Sequence, residues 1–317
     1  MAFGQKEPNC VLFSQYDDHR KATHTMSAIF YHRDTVQTEW VFDTTRKGAA
    51  VAAFLTNAHQ TITTPNLITR EIVERYHHAA YLDALQTGSP RQLAESQQFG
   101  WDPQTWQSVI AQNSAMVAAV HHALQHGRAY ALASGFHHAR AAHGAGFCTL
   151  NGLAIAAGEA LRAGARQVVI VDLDAHAGGG TYSMVNTWPN LLHYDVHTAS
   201  FDSYVSREPH RRVAITESAD YIPTVQVLLD TLGALVQPGD LLLYNAGMDV
   251  YEGCAIGGLH GIDEAVITQR EELVDAWARS HNLAVAGCLA GGYQGSRYPE
   301  ELLIQLHAAS VMRFCAD

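Results

Sequence analysis

The residues most able to do chemistry lie in "VVIVDLDAHAGGGTY", Val168 to Tyr182, where Asp172, Asp174 and His176 occupy alternate positions ahead of three glycines. In an extended segment successive side chains point to opposite faces, so these three share one. Two carboxylates and an imidazole converging in one direction make a cation site; the plainer alternative is that Asp172 and Asp174 cap the turn after a strand. Asp249, in "NAGMDVYEG", follows another apolar run. Asp174, His176 and Asp249 together suit a borderline divalent ion such as Zn²⁺ and leave a fourth position for water, which permits catalysis. His137 and His138 stand among Gly135, Gly144 and Gly146, where backbone can approach a ligand closely. Beside an activated water such a histidine acts as general base and then as acid to a leaving group. The chain holds 19 histidines, with further pairs at His77-His78 and His121-His122, so the pair alone says little. Tyr293, in "GGYQG", offers a hydroxyl to an oxyanion as charge develops.

Positioning these groups requires strands that end at one edge. Apolar runs recur at "NCVLFSQY", "RAYALAS", "QVVIVDLD", "NLLHYDVH", "DLLLYNAG" and "NLAVAGCLAGG". Continuous runs of this kind fit strands covered on both faces. Between them the spacing predicts helices over Ile68–Leu85, Trp106–Gln125, Leu150–Ala163, Tyr221–Leu235, Glu264–Ser280 and Glu300–Phe314. Alternating strand and helix gives an α/β fold with an open, mostly parallel β-sheet and helices on both faces. No linker, repeat or low-complexity tract divides it, so residues 1–317 are expected to form a single domain. Each polar cluster follows a strand, and the crevice beyond the carboxyl ends of parallel strands is where ligands bind.

Composition narrows the partners. A formal charge of −11 argues against direct nucleic-acid binding, which needs clustered Lys and Arg. Five cysteines without a C-x-x-C spacing suggest a reducing cytoplasm rather than a disulfide framework. The start "MAFGQKEPNC" lacks a signal-peptide pattern, and no apolar stretch approaches the roughly 20 residues that cross a bilayer, so no membrane association is expected.

Several motifs in order resemble the histone deacetylase family within the arginase/deacetylase fold: "IVERYHHAAYLDAL", "FGWDPQTW", "GFHHARAAHGAGFCTLNGLAIAA", "VVIVDLDAHAGGGT", "YNAGMDVYEG" and "LAGGY". The resemblance implies that Asp174, His176 and Asp249 bind one Zn²⁺, with Fe²⁺ as the other candidate, and that His137 and His138 form a tandem acid/base pair. Tyr293 becomes the oxyanion donor and Asp172 the carboxylate that orients His137. It also implies a structural K⁺ near Asp172, Asp174 and His176, a tunnel lined by Phe147 beside Gly146, and a rim carboxylate at Asp102. The expected activity is zinc-dependent removal of an acetyl or other acyl group from an N-acylated amine, such as acyl-lysine or an acetylpolyamine.

Departures from the pattern bear on substrate and rate. Most relatives have Asp or Asn where this chain has Gly179, in His176-Ala177-Gly178-Gly179, so the polar partner of the second histidine is expected to be missing. Asp195 stands where Ser is usual, Cys254 begins the segment that is commonly Asp-Pro-Leu, and Ala290 replaces a common Glu. A metal-binding protein without turnover is one alternative. A binuclear manganese ureohydrolase is another, weakened because Gly178 occupies the place of its second Asp.

Overall fold

Eight strands form one sheet in the order β2-β1-β3-β8-β7-β4-β5-β6, and every adjacent pair is parallel. The computed structural model describes residues 27–36 and 43–315. The strands are β1 (Ala28–Phe30), β2 (Ile62–Thr63), β3 (Arg128–Ser134), β4 (Val168–Asp172), β5 (Leu191–His197), β6 (Arg211–Ile215), β7 (Leu241–Ala246) and β8 (Ala284–Leu289). The helices are α1 (Asp43–Asn57), α2 (Arg70–Val73), α3 (Ala79–Thr87), α4 (Arg91–Ala94), α5 (Thr105–His126), α6 (Gly152–Arg162), α7 (Gly179–Val185), α8 (Tyr221–Gly233), α9 (Glu264–Ser280) and α10 (Glu300–Cys315).

Strand β4 shows why the apolar runs are continuous, since every residue in it is buried. Val168 and Ile170 face a layer that includes α5 and α6, packing with Met116, Ala119 and Ala157. Val169 and Val171 face the opposite layer, with Leu228 of α8, Val274 of α9 and Val311 of α10. Both faces are covered, as a parallel sheet requires.

Five anticipated strands coincide with β3, β4, β5, β7 and β8, while "NCVLFSQY" lies outside the described residues. Helix α9 matches its expected bounds. The single helix expected over Ile68–Leu85 is instead two, α2 and α3, separated around Tyr76–His78. The break has a tertiary cause: the His78 N–H donates to Ala141 O, and His77 Nε2 accepts from the Asn151 N–H at 3.1 Å. The edge strand β6, "RRVAI", escaped expectation because two arginines begin it; Arg211 is buried and donates to backbone carbonyls including Trp188 O.

Because β3, β8, β7, β4 and β5 are neighbours and all parallel, their carboxyl ends share one edge of the sheet. The loops that follow them carry all the polar clusters.

Candidate active site

At the ends of β4 and β7, one ligand atom each from Asp174, His176 and Asp249 lies within 4.8 Å of the others. His176 Nδ1 stands 3.2 Å from Asp174 Oδ1 and 3.2 Å from Asp249 Oδ2. Backbone donors hold the remaining carboxylate oxygens: Gly291 N–H on Asp174 Oδ2 at 2.6 Å, and Ala175 N–H on Asp249 Oδ1 at 2.9 Å. Behind these loops the buried Arg270 of α9 donates to Gly247 O at 2.6 Å and pairs with Glu271 at 2.6 Å. The loops therefore brace one another and bring the donors together.

Electrostatics agrees with a cation there. Burial works against a charged His176, yet its contacts with Asp174 and Asp249 raise it to about 10. Burial and the nearby Asp174 push Asp249 up to about 6. A proton on His176 thus stands in for positive charge that two buried carboxylates demand. Imidazole nitrogen with carboxylate oxygen is a donor set that fits a divalent transition ion.

Strand β4 ends at Asp172, so strict alternation does not continue to Asp174 and His176, and Asp172 points elsewhere. Its Oδ2 accepts from His137 Nδ1 at 2.8 Å, and its Oδ1 accepts from Asn245 Nδ2 at 2.8 Å. The reading that Asp172 shares one face with Asp174 and His176 is corrected accordingly: Asp172 turns to His137, and the group formed here is Asp174, His176 and Asp249.

The two histidines face each other, His137 Nε2 lying 3.0 Å from His138 Nε2. His138 is not without a partner, contrary to what Gly179 suggests. Its Nδ1 lies 2.9 Å from Asp202 Oδ2, and Arg140 also donates to the Asp202 carboxylate. A Cβ at Gly179 would sit 2.6 Å from Asp202 Oδ1 and 2.7 Å from its Cγ. The carboxylate has come from another loop, and the glycine leaves it room. With carboxylates as acceptors, each Nδ1 carries a proton. Burial opposes a charged His137, but Asp172 and Asp174 raise it to about 10. Burial and the charge on His137 lower His138 to about 4, against the pull of Asp202.

Tyr293 joins Phe136, His137, His138, Cys148 and Asp174 around a cavity of about 20 Å³, roughly the room of one water. Burial, Asp249 and Asp174 hold its phenol well above the ordinary value, so the hydroxyl stays a donor. Gly146 has φ +49, and a Cβ there would stand 2.6 Å from His138 Cδ2 and 3.1 Å from Phe201 Cε1. Phe147 follows it and packs at a tilt against Phe99, 5.4 Å between centroids. Phe201 meets His138 edge-on at 4.9 Å and is 51% exposed. Asp102 lies in the loop before α5, where its Oδ1 accepts from the Gln104 N–H at 2.7 Å.

A second group brings together Asp172, His193 and Asp195, all buried. Neither oxygen of Asp195 meets a donor in hydrogen-bond geometry, and His193 Nε2 stands 3.5 Å from Oδ1. A buried carboxylate left so is what a cation would satisfy. Sequence reasoning missed Asp202, Phe201, Asn245 and Arg270, and also Asn151, which caps α6 while donating to Ala139 O at 2.8 Å. Asn151 carried the clearest signal, since it immediately precedes an apolar helical pattern.

Relatives bear on what this site does. The model of the histone deacetylase domain matches residues 41–308. An uncharacterized protein of Picosynechococcus is 31% identical over 235 residues, covering 72% of this chain and 77% of its own. Histone deacetylase 2 of Arabidopsis thaliana is 31% identical over 181 residues, 55% of this chain and 46% of that one. Acetylpolyamine amidohydrolase 1 of Pseudomonas aeruginosa is 30% identical over 165 residues, 40% of this chain and 48% of the enzyme. The alignments thus span about half the length of these two enzymes. Among solved structures, the HD domain of HDA15 superposes with a TM-score of 0.76 at 18% identity, covering 92% of this chain and 91% of that one. An acetylpolyamine aminohydrolase from Burkholderia pseudomallei gives 0.73 at 19%, covering 92% and 99%. These two likenesses establish the parallel α/β fold. Because the domain match runs through every site residue named above, the chain belongs to the histone deacetylase family, and with it to the hydrolases that act on amide bonds.

Proposed function

We propose that this protein is a zinc-dependent amidohydrolase that removes an acetyl or other acyl group from an N-acylated amine, an acyl-lysine peptide or an acetylpolyamine. The carrying observation is the convergence of the Asp174, His176 and Asp249 ligand atoms with a facing histidine pair and Tyr293. One continuous sheet supports reading residues 1–317 as a single catalytic domain.

Asp174, His176 and Asp249 would hold the Zn²⁺, which when bound polarises the scissile carbonyl and acidifies water. The protein's own groups do the rest. Tyr293 Oη donates to the carbonyl oxygen as negative charge grows there. His138, the neutral member of the pair, takes the attacking water's proton at Nε2 once water displaces His137 Nε2 from it, and the pair returns a proton to the departing amine nitrogen. Asp172 holds the His137 ring in the orientation that turns its Nε2 toward the reaction. Phe147 and Gly146 would form one wall of the substrate tunnel, and Asp102 would sit near its rim. Asp172, Asp174 and His176 would contribute oxygen atoms to a structural K⁺, with the buried Asp195 carboxylate grouped beside Asp172.

Cys148, Cys254 and Cys288 are buried free thiols, which supports a reducing compartment such as the cytoplasm. Among the described residues no helix is long and apolar enough to cross a membrane. The test is to assay zinc-loaded protein against a panel of acyl-lysine peptides and acetylpolyamines. Amine release from at least one class is expected; no release from any would overturn the reading.

A further inference from the structure

The second histidine takes its carboxylate from a place the motif does not name. Asp202 lies in the segment after β5, which the backbone ties firmly to the metal loop: Thr198 and Ala199 N–H both donate to Ala175 O, at 3.0 and 2.9 Å, and Ala177 N–H donates to Phe201 O at 3.3 Å. The Asp202 side chain is 9% exposed, and its Oδ2 accepts from both His138 Nδ1 and the Gly180 N–H, the latter at 3.0 Å. Arg140 reaches the other oxygen while donating to His138 O at 3.0 Å. Every polar edge of that carboxylate is therefore spent on groups that fix His138. The neighbouring residue, Phe201, is the exposed aromatic that packs on the same ring.

We propose that Asp202 is the positioning residue of His138, so that the mouth segment 198–204, rather than the metal loop at Gly179, sets the orientation of the second histidine. The same short segment then carries the aromatic at the mouth and the carboxylate beneath it. A ligand pressing on Phe201 is one residue from the group that aims the imidazole. Gly179 is the vacated position: a Cβ there would clash first with the Asp202 backbone carbonyl and then with its carboxylate, so any side chain would displace the Asp202 segment.

This rests on the amidohydrolase reading for its kinetics but not for its structural readout. In zinc-loaded protein, the His138 Nδ1 proton held by a carboxylate should give a low-field ring N–H resonance in ¹⁵N-edited NMR, assignable by its loss in His138→Ala. Asp202→Ala should retain zinc, lose that resonance and lower kcat roughly 10- to 100-fold with KM nearly unchanged, the scale seen when a partner behind a metal-site histidine is removed. Asp202→Asn, which preserves shape and an acceptor oxygen but not charge, guards against misfolding; it should keep the resonance at higher field and lose less activity. A resonance that persists unmoved in both variants, or a wild-type kcat in both, overturns the proposal. If wild-type protein shows the resonance and Asp202→Ala abolishes it while no acyl amine is turned over, the positioning stands and the amide-hydrolysis reading falls.

Discussion

His137 and His138 are adjacent in sequence, both buried and both hydrogen-bonded to a carboxylate, yet they sit at opposite ends of the titration range. Asp172 comes from the end of strand β4, 35 positions along the chain from His137; Asp202 comes from a loop, 64 positions from His138. His137 faces two carboxylates, Asp172 and Asp174, and is raised to about 10. His138 shares its one carboxylate with Arg140 and meets the charge of His137, and burial takes it down to about 4. In metal-free protein a single proton between the two Nε2 atoms therefore belongs to His137. The pair is a charged donor beside a neutral acceptor, an asymmetry produced by where each carboxylate is anchored.

The comparison breaks most completely if the cation site is removed, because Asp174 is part of what charges His137. Asp249→Ala should lose both zinc and activity to background, measured by elemental analysis beside the assay. Wild-type protein prepared in excess metal should hold one transition ion per chain; two tightly held ions would revive a binuclear hydrolase. Next in size is Tyr293→Phe, which leaves both histidines untouched. It should keep zinc and KM while kcat falls by roughly two orders of magnitude, the scale for losing one oxyanion donor. An unchanged kcat in zinc-replete protein would remove Tyr293 from the chemistry.

Asp172→Asn sharpens the contrast directly. Asp172 also accepts from Asn245 Nδ2 and the Asp174 N–H, so replacing it disturbs His137 and the metal loop together. Its kcat should fall at least as far as that of Asp202→Asn, with some loss of zinc affinity, on the order of 10- to 100-fold in either quantity. Equal zinc affinity and a smaller kcat loss than in Asp202→Asn would place the chemical burden on His138 alone.

What could be read from the sequence follows the same division. Asp174, His176 and Tyr293 lie within a few residues of strands whose apolar runs are continuous, so their convergence at one edge followed from parallel order. Asp202 could not be read this way, because nothing local to "TASFDSY" marks it as facing His138; only the packing of that segment on Ala175 and Ala177 brings it there. The expected consequence of Gly179 was wrong for the same reason: a missing side chain in a motif looks like a loss until the atom filling its space is seen. Strand β6 was hidden by its arginines, and the break between α2 and α3 by a helical pattern that tertiary hydrogen bonds overrode.

The smallest effect at neutral pH should come from His77, which supports the pair from behind. Its Nε2 accepts from the Asn151 N–H, and Asn151 Nδ2 in turn donates to Ala139 O, just past His138. Burial lowers His77 to about 4 from an ordinary value of 6.5. Between these values the unfolded chain binds a proton that the folded chain refuses, so this residue's contribution to stability is intact above about pH 6.5 and drains away as pH falls toward 4. His138, also lowered to about 4, acts in the same direction. His77→Gln retains an acceptor for the Asn151 N–H but cannot titrate. Urea unfolding of metal-free protein between pH 7 and 4 should therefore show a stability slope shallower than wild type by up to about 1.4 kcal/mol per pH unit, one proton's worth. Activity at neutral pH should change only slightly if the acceptor is preserved. An unaltered slope would mean that His77 is charged in the folded protein, and then it could not be accepting the hydrogen bond that holds Asn151 in place.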